Sequence, residues 1–302
     1  MGKKALRVLL AIFVVLLVFL AAAWFRASSA RKAVLAAVEA ARAERSAKPA
    51  PAGKDISSIL AMAIKTAAPS DAKWKPLFEP RASEDAASPL VDEFASFVLP
   101  LLVQAGSIGT CRKGAITFDG AGGALAYADL KALERLAVAF ARKAPPEARS
   151  AVARALVALG GAFETAAEPC VLRLRLDYLR AGIELADPGD SELAGLARDS
   201  FRSSLAALPS AAERMSCDYA EEDLRLIEQG AISGLAAWLT YMRLDAELEA
   251  ARRAARRMQA WFEGKADSLE DIFEVENGEL LGLFIKAFET GQLLAARFRD
   301  KA

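Results

Sequence analysis

VLLAIFVVLLVFLAAAWF, from Val8 to Phe25, is an unbroken apolar run beside the N-terminus. Its eighteen residues carry no charge. Wound as a helix at 1.5 Å per residue, it spans about 27 Å, close to the hydrocarbon thickness of a bilayer. No second run of this kind follows, so the reading is one membrane-spanning helix with the rest of the chain on one face of the membrane. A cleaved secretory signal also begins with basic residues (here Lys3, Lys4 and Arg7) and ends on small ones (Ala21, Ala22 and Ala23). Its apolar centre is shorter, however, at about 7–15 residues. Trp24, Phe25 and Arg26 follow the run directly, and aromatic and basic groups are what the headgroup layer favours at a helix end. A retained anchor at 8–25 is therefore expected.

On either side of the anchor the chain divides simply. Residues 1–7 read as a short cytoplasmic tail, the usual start of a signal anchor with its N-terminus inside. Residues 26–54 read as a basic helical stalk, ASSARKAVLAAVEAARAER, ending in the Pro/Ala linker SAKPAPAGK (46–54). Residues 55–302 are then an extracytoplasmic helical domain. Arg26, Arg31 and Lys32 nearly balance the basic groups before the span, so a cytoplasm-facing body is the alternative topology.

The formal net charge of zero hides a division. Residues 1–54 hold ten Lys and Arg against Glu39 and Glu44, which leaves 29 basic and 37 acidic residues from Asp55 onward, a net of −8. An acidic body is a poor general binder of nucleic acid, whose phosphates need accumulated cations. The basic stalk suits anionic headgroups instead. Alanine, leucine, arginine and glutamate dominate, and β-branched residues are sparse after the run, which favours helix throughout. The preference for Ala and Arg over Ile and Lys suggests a GC-rich bacterial genome, making the expected location the inner membrane of a bacterial envelope.

Histidine is absent. Ser-His-Asp and Cys-His catalysis, His-ligated zinc and histidine pH switching are thereby excluded. Cys111, Cys170 and Cys217 form no CxxC pair, so a thiolate metal site is not expected. In an oxidising compartment two of the three could form a disulfide; otherwise they are small, partly buried residues. No cofactor and no metal is expected.

Along the body, Asp55 caps ISSILAMAIKTAA, with Ile56, Ile59, Leu60, Ala63 and Ile64 on one face and Pro69 as the stop. A Pro-rich loop over 69–88 carries Trp74, Leu77 and Phe78 as its large apolar groups. Pro89 opens PLVDEFASFVLPLLVQAG, kinked or broken near Pro100. Residues 107–124 lose the helical rhythm, and Ile116 and Phe118 before a Gly-rich turn predict a small hairpin. That turn, GAGG, lacks the spacing of a phosphate-binding loop. Helices are then expected over 129–143, 146–167, 170–186 and 190–208, with Pro209 ending the last. Leu172, Leu174, Leu176 and Tyr178 alternate as in a strand, but length and leucine content favour helix there. Ser210 and Glu213 match a capping box for a helical region reaching Phe262, with Gly230 and Gly234 able to bend it. Ser268 and Asp271 start the last region, broken near Asn277-Gly278 and running to Lys301. The expected fold class is all-α, a multi-helix globular domain with a small irregular or hairpin insertion behind the membrane helix and stalk.

Two surfaces stand out as binding candidates, the Trp74–Phe78 loop and the stripe Arg252, Arg253, Arg256 and Arg257. Glu249 can pair with Arg253 at i+4, whereas the other three lack an evident acidic neighbour on the helix. Such a stripe is either a solvated or cross-helix-paired face, or a site for an anionic lipid or an acidic partner. Glu221, Glu222 and Asp223 are consecutive and splay around a helix. Glu270, Asp271, Glu274, Glu276 and Glu279 form a second acidic group without the loop spacing of a calcium site. The leading functional reading is non-enzymatic, an envelope interaction or scaffold module that binds another envelope protein. The alternative is a carboxylate-dependent, glycosidase-like hydrolase of envelope polymers, whose paired acids would face each other across a cleft.

Overall fold

The computed structural model describes residues 3–46, 55–67, 94–111, 115–120, 122, 124–163 and 168–298. The linker before Asp55, the loop carrying Trp74 and Phe78, and the start of the Pro89 helix lie outside the described residues. The fold is all-α, with an apolar N-terminal helix followed by a multi-helix body.

Helix α1 (Lys3–Ser46) is continuous over 44 residues, about 65 Å long. Its two halves differ in character. From Leu10 to Phe25 the large side chains are exposed, Phe25 by 73%, in a helix long and apolar enough to cross a membrane. Immediately beyond Arg26, Ala27, Ala30, Val34, Val38 and Ala41 are buried. Their spacing of three and four residues makes a single stripe on one face.

The body follows as α2 (Ser57–Thr66), a π-helical turn (Phe94–Val98), α3 (Leu99–Ile108), strands β1 (Ile116–Thr117) and β2 (Leu125–Ala126), α4 (Tyr127–Lys143), α5 (Pro146–Ala162), α6 (Pro169–Leu185), α7 (Ser191–Glu228), α8 (Gly234–Phe262), a 3-10 turn (Glu270–Glu274) and α9 (Gly278–Arg297). The Asp55 side chain accepts from the Ser57 amide at 3.1 Å and the Ser57 hydroxyl at 2.7 Å, and Ile56, Leu60 and Ala63 are fully buried. The break expected near Pro100 is the junction of the π-helical turn with α3, where proline stands in the first turn.

Three apolar clusters hold the elements together. The first joins α2 through α6 and includes Phe94 against Phe140, with ring centroids 4.8 Å apart. In it the buried Tyr178 hydroxyl donates to the Leu130 carbonyl at 2.7 Å. The second joins α5 to α9, and the third sets the α1 stripe against Cys217, Ala220 and Leu224 of α7 and Tyr241, Leu244 and Leu248 of α8. Helices α5 and α6 approach closely because Gly182 has no side chain. A Cβ there would lie 2.6 Å from Val157 Cγ2 and 2.9 Å from the Ala153 carbonyl oxygen.

Local departures from the sequence expectations have physical causes. Strands β1 and β2 pair in parallel, Ile116 with Leu125 and Thr117 with Ala126, so the insertion is not a hairpin. Gly120 and Gly122 take positive φ, +74° and +66°, and carry the chain round to re-enter in the same direction. Proline 209 does not end a helix, because α7 passes through it for 38 residues. A proline there removes the amide that would bond the Leu205 carbonyl, and Gln259 Nε2 of α8 donates to that oxygen at 2.5 Å instead. Ser210 is accordingly mid-helix, and Glu213 bonds Arg252 across to α8 instead of capping. Gly230 (φ +74°) and Gly234 (φ +57°) do more than bend the region: they separate α7 from α8 and fold them into an antiparallel pair. Arg243 with Asp223 and Arg252 with Glu213 form rungs between the two. Ser268 and Asp271 lead only into the 3-10 turn, and α9 starts where the Asn277 side chain accepts from the amides of Glu279 (3.0 Å) and Leu280 (3.1 Å).

The substitute bond at the proline is testable. Gln259→Ala should destabilise the protein by about 1 kcal/mol, since it orphans a carbonyl. Pro209→Ala restores the missing donor, so in that background the same change should have a clearly smaller effect. Denaturant unfolding of the four proteins of this cycle, in detergent, measures the difference.

Candidate functional site

Residues 127, 131 and 134 fall on one face of α4, at i, i+4 and i+7. That face meets α6 and α9, and together they gather a charge cluster that no linear motif announces. Asp177 of α6 is 5% exposed and is its centre. One carboxylate oxygen pairs with Lys286 Nζ from α9. The other accepts from the Tyr127 hydroxyl at 3.1 Å and lies 3.3 Å from Lys131 Nζ. Lys131 Nζ also lies 2.5 Å from Glu134 Oε2, and Glu134 is itself buried. Two ammonium groups thus balance two carboxylates in a site largely removed from water.

Burial shifts Glu134, Lys286 and Tyr127 toward their neutral forms. It raises the Glu134 carboxyl above the ordinary glutamate value, with the Lys131 charge opposing. It lowers the Lys286 ammonium, with Asp177 opposing. Burial first, and Asp177 second, raise the Tyr127 phenol, so Tyr127 stays protonated and donates.

Of the cluster residues, Tyr127 also lines an open cleft of about 360 Å³, together with Phe118, Cys170, Arg173, Tyr219 and Glu279 among others. Phe118 stacks on Tyr127 at 6.1 Å with an interplanar angle of 13°, and Phe118 and Tyr219 are both exposed at the mouth. Aromatic walls with a few convergent charges suit a small amphipathic ligand or a side chain of a partner. Turnover is less well served. The Cys170 thiol is pushed up to about 11, chiefly by burial, and so is protonated at neutral pH. Lys131 Nζ occupies the space between Glu134 and Asp177, where a retaining glycosidase would hold its sugar. Among the described residues no three acidic or thiol ligands converge on a point that could hold a metal ion.

The residues singled out from sequence lie elsewhere. Arg252 bonds Glu213 and, at 2.7 Å, Glu249, so Glu249 serves Arg252 at i+3 and not Arg253. Arg253 reaches Glu274 of the 3-10 turn at 3.0 Å. Arg257 donates from Nε to the Ser268 carbonyl at 3.0 Å and lies 3.9 Å from Asp271. Three of the four guanidinium groups therefore clasp α8 to α7 and to the segment after it, and Arg256 points outward, exposed. Trp74 and Phe78 fall outside the described residues. Cys111, past the end of α3, Cys170 of α6 and Cys217 of α7 form no disulfide with one another, and the first and last are buried. What the sequence reading missed is the cluster around Asp177. Its signal was an aspartate inside the leucine stripe LRLRLDY, and an acid at Glu134 on the apolar face of α4.

Neither a protein-family model, nor a curated protein, nor a solved structure matches the chain.

Removing the centre of the cluster should be severe. Asp177→Asn leaves Lys286 and Lys131 facing a neutral amide and is expected to destabilise by about 3–5 kcal/mol, the scale for breaking a buried pair from one side. Glu134→Gln has a different signature. A carboxyl whose folded value is raised contributes stability that is present below the unfolded value and lost as pH rises through the folded one. Unfolding measured at pH 4 and pH 7 should therefore show the wild type losing stability relative to Glu134→Gln on going to pH 7.

Proposed function

We propose that the chain is a single-pass protein of the bacterial inner membrane, anchored by residues 8–25, whose helical body lies outside the cytoplasm and acts as a non-enzymatic interaction or scaffold module for another envelope protein. The observation that carries this reading is α1. Its first half exposes large apolar side chains on all sides, and its second half is built into the body through the third apolar cluster. A helix apolar all round, with no protein to cover it, is suited to lipid. Lys3, Lys4 and Arg7 before the run favour an N-terminus held inside, and Trp24, Phe25 and Arg26 suit the headgroup layer at its far end.

The body offers contacts more readily than chemistry. Most of the arginine stripe is committed to internal pairs, so the aromatic-walled cleft beside Phe118 and Tyr219 is the stronger place for a partner's side chain. Because α1 continues unbroken from span to body, a partner bound there would be held at a fixed height and angle over the bilayer.

Two measurements test the proposal. The full-length protein should stay with the membrane fraction through an alkaline carbonate wash, and deletion of 8–25 should release it. A C-terminal alkaline phosphatase fusion should be active in cells. Release of the intact protein by carbonate would sink the anchor, and an inactive phosphatase with a fluorescent cytosolic reporter at the same position would reverse the topology.

A further inference from the structure

Of the three arginines on α6, two are engaged within the body. Arg175 donates to the Ser200 carbonyl at 3.1 Å, and Arg180 bonds Glu184 at 3.0 Å and pairs with Glu289. Arg173 makes neither a hydrogen bond nor an ion pair among the described residues, although it is half-buried. Its side chain lies against α9, where a Cβ added to Gly282 would sit 3.4 Å from Arg173 Nη2. A guanidinium offers five donors in a rigid fork, and one held in a cleft without an acceptor is suited to an anion brought from outside.

The space beside Arg173 is aromatic. Phe118, 74% exposed, and Tyr219, 46% exposed, line the same cleft as Tyr127, and Met215 adds a further apolar wall. Exposed rings gathered round a concavity mark a contact. Two carboxylates also line it, and both are already engaged: the Tyr219 hydroxyl bonds Glu279, and Asp218 has an interaction of its own. Arg173 is thus the lining charge left without a partner among the described residues. The negative body repels an anion at long range, but salt screens that repulsion beyond about 8 Å, so contact with the guanidinium decides. At about 360 Å³ the cleft lies at the small end of ligand sites, which run from about 300 to 1,000 Å³, and has room for little more than one large residue. Ring and negative charge must then come from the same residue. An unmodified aromatic residue carries a carboxylate only at the end of a chain.

We propose that the cleft captures the C-terminal aromatic residue of a partner protein, with its carboxylate on Arg173 and its ring among Phe118, Tyr127 and Tyr219. The inference rests on the reading of the cleft as a partner site and names the chemistry that the partner brings. A carboxylate meets the planar guanidinium with two parallel hydrogen bonds, while the ring covers aromatic surface now open to water. An uncharged or cationic chain segment in the same place would shield the guanidinium from water and leave it unmatched.

The test uses the full-length protein in detergent and three probes: acetylated Ala-Ala-Trp with a free C-terminal carboxylate, the same tripeptide as its C-terminal amide, and N-acetyltryptophan. Fluorine NMR of a fluorinated indole gives the affinities. Modification of Cys170 by N-ethylmaleimide reports where a probe sits, because Cys170 lines the cleft and is the one thiol that is not buried. The acid tripeptide should bind about tenfold more tightly than the amide, the scale of a hydrogen bond to a charged group, and should slow the modification of Cys170. Arg173→Gln should erase that preference and leave the affinity of the amide unchanged. Equal affinity of acid and amide, with both protecting Cys170, overturns the carboxylate and leaves the cleft standing as a partner site. A preference for the acid that survives Arg173→Gln overturns the role of Arg173. Binding of N-acetyltryptophan without binding of the acid tripeptide overturns the chain end in favour of a small aromatic acid. Absence of binding and of protection with all three probes sinks the cleft as an aromatic site, and this proposal with it.

Discussion

Ala27, Ala30, Val34, Val38 and Ala41 form a stripe of small side chains along α1, and on it the coupling of the helix's apolar half to the body depends. Small residues let helix axes come close, which is why α7 and α8 can close over this face from just past Arg26. Were the stripe polar, residues 26–46 would be a solvated rod and the body would hang from it. As built, one helix runs without interruption from the apolar run into the third cluster, which ties the apolar half to the α7–α8 pair. The cation of Arg31 over the Tyr241 ring and the Arg42–Glu221 pair flank the stripe and fix its register, contributing specificity more than energy because both are partly solvated.

Elsewhere two polar groups in the interior of the body are met by residues distant in sequence, while the Ser200 hydroxyl is buried without a hydrogen-bond partner among the described residues. The Asp177 carboxylate is shared among a phenol and two ammoniums, and the Leu205 carbonyl that Pro209 leaves open is met by a side-chain amide. Both devices join elements distant in sequence: α4, α6 and α9 in the first, α7 and α8 in the second. They fix which helices neighbour one another, a job that alanine-rich surfaces do poorly because small, similar side chains permit many registers. A buried charge set of this kind is weak as a source of net stability. Its value here is in selecting one packing.

This division explains what was legible in the sequence. Helix type and most helix limits follow from periodicity, and 170–186 reads correctly as helix despite its strand-like alternation because its length and leucine content outweigh four alternating residues. The cap at Asp55 and the break at Asn277 are likewise local signals with local outcomes. Pro209 misleads because its compensation comes from Gln259, a residue fifty positions away that no window around the proline contains. Ser210 and Glu213 mislead for the same reason, a capping pattern overridden once α7 is held straight by its neighbours. The candidate site suffered most. Tyr127, Asp177 and Lys286 are brought together by tertiary packing alone, and the arginine stripe looked available only because the partners of Arg253 and Arg257 lie beyond the end of α8.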